Sequence, residues 1–242
     1  MGGDADTGKL MEHEAFTWAG ALLGPSYGAY YSVATAAFIA LLLVLFALVA
    51  NRRLAATEAA IEPEDGMTSR SMAEVLTESI AALAESVIGH GGERYVPLLA
   101  TFFIFILACN LIGLVPGFVP PTSDFTVTFA LGIVSFIAYN VYGVREHGLK
   151  YVKQFLGSVV FLMPLMLVVE LFSHVFRPVS LGIRLFANLF ADHEVVTIFT
   201  NLTKFGVPVI FYVLGAFVGV VQAFVFTMLS AIYIALAVSH DH

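Results

Sequence analysis

The chain has 242 residues, 59% of them hydrophobic and only 12% charged, with a mean hydropathy of +0.90 and a formal net charge of −7. A soluble domain averages about 25% charged residues, so the composition excludes a water-soluble globular protein and defines a polytopic membrane protein. The charges sit in loops and in one embedded stripe, no basic patch for nucleic acid exists, and the lone Cys109 in an apolar run excludes a disulfide framework or a cysteine metal site.

Residues 1–29 are mildly acidic, with Lys9 the only lysine or arginine, and the first apolar run is followed by its basic residues, Arg52 and Arg53. That is the reverse of a cleavable signal peptide. By the positive-inside rule the span at 30–50 inserts with its N-terminus outside, which makes 1–29 an extracytoplasmic arm whose Trp18, Tyr27, Tyr30 and Tyr31 suit the membrane interface. Residues 51–94 predict a cytoplasmic loop with an amphipathic helix over 72–88, where Val75, Ile80, Leu83, Val87 and Ile88 alternate with Glu74, Glu78 and Glu85. It is too polar to span, and either lies in the interface or packs on the bundle as a surface helix. A second span covers 95–119 and ends at Pro120-Pro121. A third covers 126–142, followed by Arg145, Lys150 and Lys153, which put that end on the same inner side as Arg52 and Arg53.

From 155 to 200 the chain is apolar apart from the charged stripe. As one helix it would be about 65 Å long, roughly twice the hydrocarbon thickness of about 30 Å. Two spans, a span with an interfacial piece, or one tilted and bent helix would each fit. Pro164 and Pro178 offer bends, and the missing turn cluster favours tilt. After a connection at 201–206, residues 207–238 are again too long for an upright span, with Gln222 the only strongly polar side chain. The expected fold is a single all-α integral membrane domain. It has about five transmembrane helices, the last two long, inclined and paired as a hairpin, plus the amphipathic helix. The N-terminus is outside and the C-terminal SHDH inside, with His240 and His242 solvated.

The stretch 170–194, ELFSHVFRPVSLGIRLFANLFADHE, carries the unusual chemistry. An arginine at a bilayer centre costs about 2.5–3.5 kcal/mol on insertion scales, so it has a partner or a task. On a helix, Glu170, His174, Arg177, Arg184, Asn188 and Asp192 fall within an arc of roughly 80°. One face is polar, and the rest suits lipid or packed helices, as in a helix lining an ion path. Pairing of Arg184 within the chain, to Asp192 or Glu194, is the plainer alternative. Asn188 either hydrates such a path or bonds between helices; Gln222 by position suits interhelical bonding. His174 suits either a path or an interface, and Arg177 a snorkelling or paired role.

The run RPVSLGIRLFANLFADH, with Pro178, Ser180, Leu181, Arg184, Leu185, Phe186, Ala187 and Asn188, resembles the Pro-x-Ser-Leu and Arg-Leu-Phe-Gly/Ala-Asn elements of the a subunit of F-type ATP synthases. NLIGLVP at 110–116, Glu170 fourteen residues before the arginine, and QAFVFTMLSAIYI at 222–234 fit in family order over about 95–240. The resemblance implies that Arg184 faces the carboxylates of a rotating c-subunit ring and bars leakage between two half-channels. Asn188, Gln222, His193, Asp192, Glu194 and Asn110 would serve an extracytoplasmic inlet, and Glu170, His174 and Ser180 a cytoplasmic outlet. The family's second inlet group on the last helix falls at Gly215 here, a departure that leaves Asp192 or Glu194 to substitute, and its alternative acid on the second span is replaced by Gly113. The implied protein is a non-catalytic, cofactor-free stator subunit of a bacterial inner membrane, partnered by the c-ring, the b subunits of the peripheral stalk and the remaining synthase subunits. A Na⁺-translocating version is one alternative. A secondary transporter is another, although it would show substrate-sized polar clusters and paired repeats. A purely structural subunit would not explain Arg184.

Overall fold

The structure, a computed structural model, describes residues 18, 30–55, 69–89, 91–115, 117–148, 151, 163–203 and 206–239. His240, His242, Lys150, Lys153 and most of the N-terminal arm therefore lie outside the described residues. The described residues form six α-helices: α1 Tyr31–Ala55, α2 Ser69–Ile88, α3 Val96–Ile112, α4 Phe125–His147, α5 Met163–Leu202 and α6 Val207–Val238. Five of them, all but α2, are long and apolar enough to cross a membrane, and no strand occurs among the described residues.

The two last helices are continuous. α5 has 40 residues and α6 has 32, about 60 and 48 Å at 1.5 Å per residue, so neither fits upright within about 30 Å of hydrocarbon. Residues 155–162 of the expected long helix lie outside the described residues, and Pro164 is the second residue of the described part of α5. Pro178 lies inside, where its missing N–H frees the carbonyl of His174. The Tyr139 hydroxyl of α4 reaches that carbonyl at 3.5 Å.

The second apolar run is shorter than the span expected at 95–119. α3 stops at Ile112 and gives way to tight turns, in which the Leu114 and Val115 N–H groups donate to the Leu111 and Ile112 carbonyls at 3.0 Å; the Pro120 ring packs against Gly113, and Gly117 takes a positive φ of 87°. The apolar Leu114, Val115, Phe118 and Val119 are turn residues. α4 in turn runs past 142 to His147. The Asp124 carboxylate caps its start by accepting from the Thr126 N–H at 2.8 Å, and Arg145 and His147 occupy its last turn, where cations suit the helix dipole.

The bundle packs through small residues. A β-carbon at Gly132 would lie 2.6 Å from the Pro178 carbonyl oxygen, and one at Gly182 would lie 3.1 Å from that of Thr128, so α4 and α5 meet backbone to backbone. One apolar cluster joins Phe102 and Ile106 of α3, Leu181, Leu185 and Leu189 of α5, and Ala223 and Phe226 of α6. A second, at the far end, joins Ile80 and Ala84 of α2 with Tyr95, Leu99, Tyr139, Tyr151, Ala231, Ile234 and Ala237. The amphipathic helix is thus packed on the bundle, the second of its two expected placements. α1 leaves Leu41, Leu45, Phe46 and Leu48 exposed.

Candidate functional site

α5 positions the polar stripe. Its buried face is Leu181, Leu185, Leu189 and Val196, and the stripe runs along the border of that face: His174 is buried, Arg177, Asp192 and His193 half-buried, Arg184 and Asn188 exposed. Among the described residues Arg184 makes no ion pair or hydrogen bond. Pairing with Asp192 or Glu194, the plainer alternative for this arginine, is not formed. One turn on, Asn188 Nδ2 donates to Gln222 Oε1 at 2.9 Å, which ties α5 to α6. Gln222 is itself buried and bonds Asn188, not Arg184.

Toward the C-terminal end of α5 an open cleft of about 310 Å³ is lined by Asn110, Gly113, Leu189, Asp192, His193 and Gly215, among others. The Asp192 carboxylate occupies the space that a β-carbon at Gly215 would need. A side chain at position 215 and the Asp192 carboxylate where it stands would therefore compete for one space. Glu194 does not line the cleft and is exposed; on the helical wheel it points roughly 120° away from the stripe. Asn110 is buried with both ends used. Its Nδ2 donates to the Gly219 carbonyl at 2.8 Å and its Oδ1 accepts from the Thr122 hydroxyl at 2.7 Å. The arm reaches this end too, since the Trp18 N–H donates to the Gly117 carbonyl at 3.0 Å.

The opposite end of the stripe holds Glu170, His174 and Arg177. Arg177 Nη2 lies 3.6 Å from Glu170 Oε1, two turns away on the same helix, and its guanidinium sits over the Tyr233 ring at 5.7 Å. His174 Nε2 is 2.9 Å from Asn140 Oδ1, and Tyr151 OH donates to the same oxygen at 3.2 Å. Ser180 is exposed, off the stripe by roughly 80°. Sequence reasoning overlooked Asn140, Tyr139, Tyr151 and Thr122. An amide inside the third apolar run was a usable signal for Asn140, because a polar group at membrane depth needs a partner. Groups of three or more His, Cys, Asp or Glu side chains able to hold a metal do not occur among the described residues.

Continuous over-long apolar helices, one of them with a polar stripe on which Arg184 has no ion pair or hydrogen bond among the described residues, define a multi-pass membrane protein. The family model described as ATP synthase A chain matches residues 33–235. "ATP synthase subunit a" of Bdellovibrio bacteriovorus is 44% identical over 230 residues, covering 94% of this chain and 100% of that one. "ATP synthase subunit a 1" of Syntrophotalea carbinolica is 40% identical over 216 residues, 89% of each chain, and "ATP synthase subunit a" of Geotalea uraniireducens is 41% identical over 169 residues, 70% of this chain and 74% of that one. The chain belongs to the ATP synthase A chain family, and so is a membrane component of the synthase Fo part that works with the rest of that complex.

Proposed function

We propose that this chain is the non-catalytic stator subunit that carries protons past a ring of c subunits, with Arg184 facing the ring carboxylates and separating two half-channels. The observation that supports this most directly is an arginine in a membrane helix that is exposed and makes no ion pair or hydrogen bond among the described residues. Such a cation favours the ionised form of a carboxylate brought opposite it, and arginine stays protonated in a protein interior. The cleft with Asp192, His193 and Asn110 is the inlet in this reading, Gln222 and Asn188 hold α6 against the arginine helix, and Glu170, His174 and Ser180 lie toward the outlet. Glu194 contributes at most from outside the cleft.

The outer side is assigned to the cleft end, where Asp124, Asp192 and Glu194 stand, and the cytoplasm to the end with Arg94 and Arg145. That puts the N-terminus outside and the C-terminus inside a bacterial plasma membrane, with the exposed face of α1 available to the b subunits. The test is ion flux in liposomes that contain this chain with its ring. Flux driven by a H⁺ gradient in Na⁺-free buffer is the expected result. Flux that follows only a Na⁺ gradient would replace the proton with sodium, and flux unaffected by Arg184→Ala would remove the arginine from the path.

A further inference from the structure

At the outlet end, α4, α5 and Tyr151 enclose a polar cluster whose hydrogen-bond accounting fixes one protonation site. Asn140 Nδ2 donates to the Phe136 carbonyl of its own helix at 2.7 Å. A reversed amide would set two acceptors against each other at that distance, so the helix backbone decides the orientation and Oδ1 faces outward from α4. That oxygen has two lone pairs. Tyr151 OH takes one at 3.2 Å and His174 Nε2 the other at 2.9 Å. An acceptor at 2.9 Å requires a hydrogen on Nε2.

We infer that Asn140 is a positioning residue that holds the His174 imidazole with a permanent proton on Nε2, so that His174 exchanges protons only at Nδ1. The functional half of this inference rests on the outlet role proposed for His174. The ring plane is set as well, by Phe136 and Tyr139 packed edge-on at 5.0 and 5.3 Å between centroids. An amide oxygen that accepts two hydrogen bonds has no proton of its own to pass on, so no proton moves from His174 to Tyr151 through Asn140. Tyr151 closes the cluster. Its ring fills the space over Gly143, where a β-carbon would come within 2.5 Å of it. Among the described residues, the charged and titratable groups around the imidazole include Glu170 and Arg177 on α5, Tyr139 on α4, Tyr151, and Tyr233 of α6 under the Arg177 guanidinium.

The test is nitrogen-15 NMR of the full chain carrying labelled histidine, reconstituted in lipid with its ring, the His174 signals being assigned by their loss in His174→Gln. Neutral His174 should show Nε2 protonated and Nδ1 bare. Asn140→Leu should lose that tautomer preference. Tyr151→Phe should leave the tautomer unchanged. A wild-type ring protonated on Nδ1, or an Asn140→Leu spectrum identical to wild type, overturns the inference. Proton flux unchanged in His174→Gln overturns the outlet role alone, because the tautomer is read independently of transport.

Discussion

Arg184 and Arg177 share one helix face and differ in everything else. Arg177 is paired with Glu170 at 3.6 Å and stacked over Tyr233, while Arg184 is exposed and makes no such contact among the described residues. A cation beside a carboxylate lowers its pKa by about 1–3 units. Under the proposed function, Arg184→Ala should therefore cut the ionised fraction of the ring carboxylates, and with it proton-driven ATP synthesis, by at least about tenfold. Arg177→Ala should be milder. Synthesis in membrane vesicles, with assembly checked by subunit content, separates the two, and the reverse order of severity would mean that the wrong arginine has been chosen. Lysine at 184 should substitute poorly, since its ammonium is a shorter-reaching, more strongly hydrated point charge. Gly215 supplies a second residue-scale prediction. The Asp192 carboxylate fills the space of the missing β-carbon, so Gly215→Val must drive that carboxylate out of its place in the cleft. Slower proton uptake from the cleft side with normal assembly is the expected result, measured as the initial rate of flux after an acid jump. An unchanged rate would show that Asp192 is not needed there.

At the scale of elements, helix contact through glycine should outweigh helix contact through amides. Gly132→Ala puts a β-carbon against the backbone carbonyl of Pro178, which no side-chain rotation relieves, and overpacking of this kind costs about 1–3 kcal/mol. Asn110→Ala removes the tie to Gly219 and Thr122, but interhelical hydrogen bonds in membranes average only about 0.6 kcal/mol, with about 1.7 as a maximum. Thermal dissociation of the purified complex should therefore fall further for Gly132→Ala than for Asn110→Ala. The contrast between these two contacts also explains what was legible beforehand. The charged stripe of α5 stood out because charges in an apolar run are rare, and the continuity of α5 and α6 followed from length without a turn cluster. The end of α3 was hidden, because Leu114, Val115, Phe118 and Val119 are as apolar as the helix before them. Partnerships were hidden for a different reason: Asn110 meets Gly219 and Ser135 meets Ser230 at 2.9 Å across 109 and 95 residues of chain. No spacing rule encodes contacts of that range. The contact between Asp192 and Gly215 was half visible, as a glycine and a nearby acid, without the geometry that brings Asp192 and not Glu194 against that glycine.

For the whole molecule the two ends differ in charge and chemistry. The cleft end holds Asp124, Asp192, Glu194 and the Trp18 contact; the other end holds α2, Arg94 bonded to Glu146 at 3.4 Å, Arg145 and the His174 cluster. Five helices among the described residues are long and apolar enough to cross a membrane; under the proposed function five crossings put the termini on opposite sides, and the arginines put the α2 end in the cytoplasm. Cysteine labelling tests that assignment directly. Cys109, the only native cysteine, is fully buried, so the wild-type background is low. Thr122, in the turn before α4, is also fully buried and would report nothing. Thr126 and Thr203 are exposed at the cleft end, and Ser86 is exposed on α2. In right-side-out vesicles a membrane-impermeant maleimide should label Thr126→Cys and Thr203→Cys and spare Ser86→Cys, and inverted vesicles should reverse the pattern. Thr203 also discriminates between topologies. If α5 were a hairpin of two upright spans, Thr203 and Thr126 would lie on opposite sides. The continuous helix puts them on the same side, so opposite labelling of these two positions would refute the single crossing of α5, and inverted labelling of all three would refute the orientation alone.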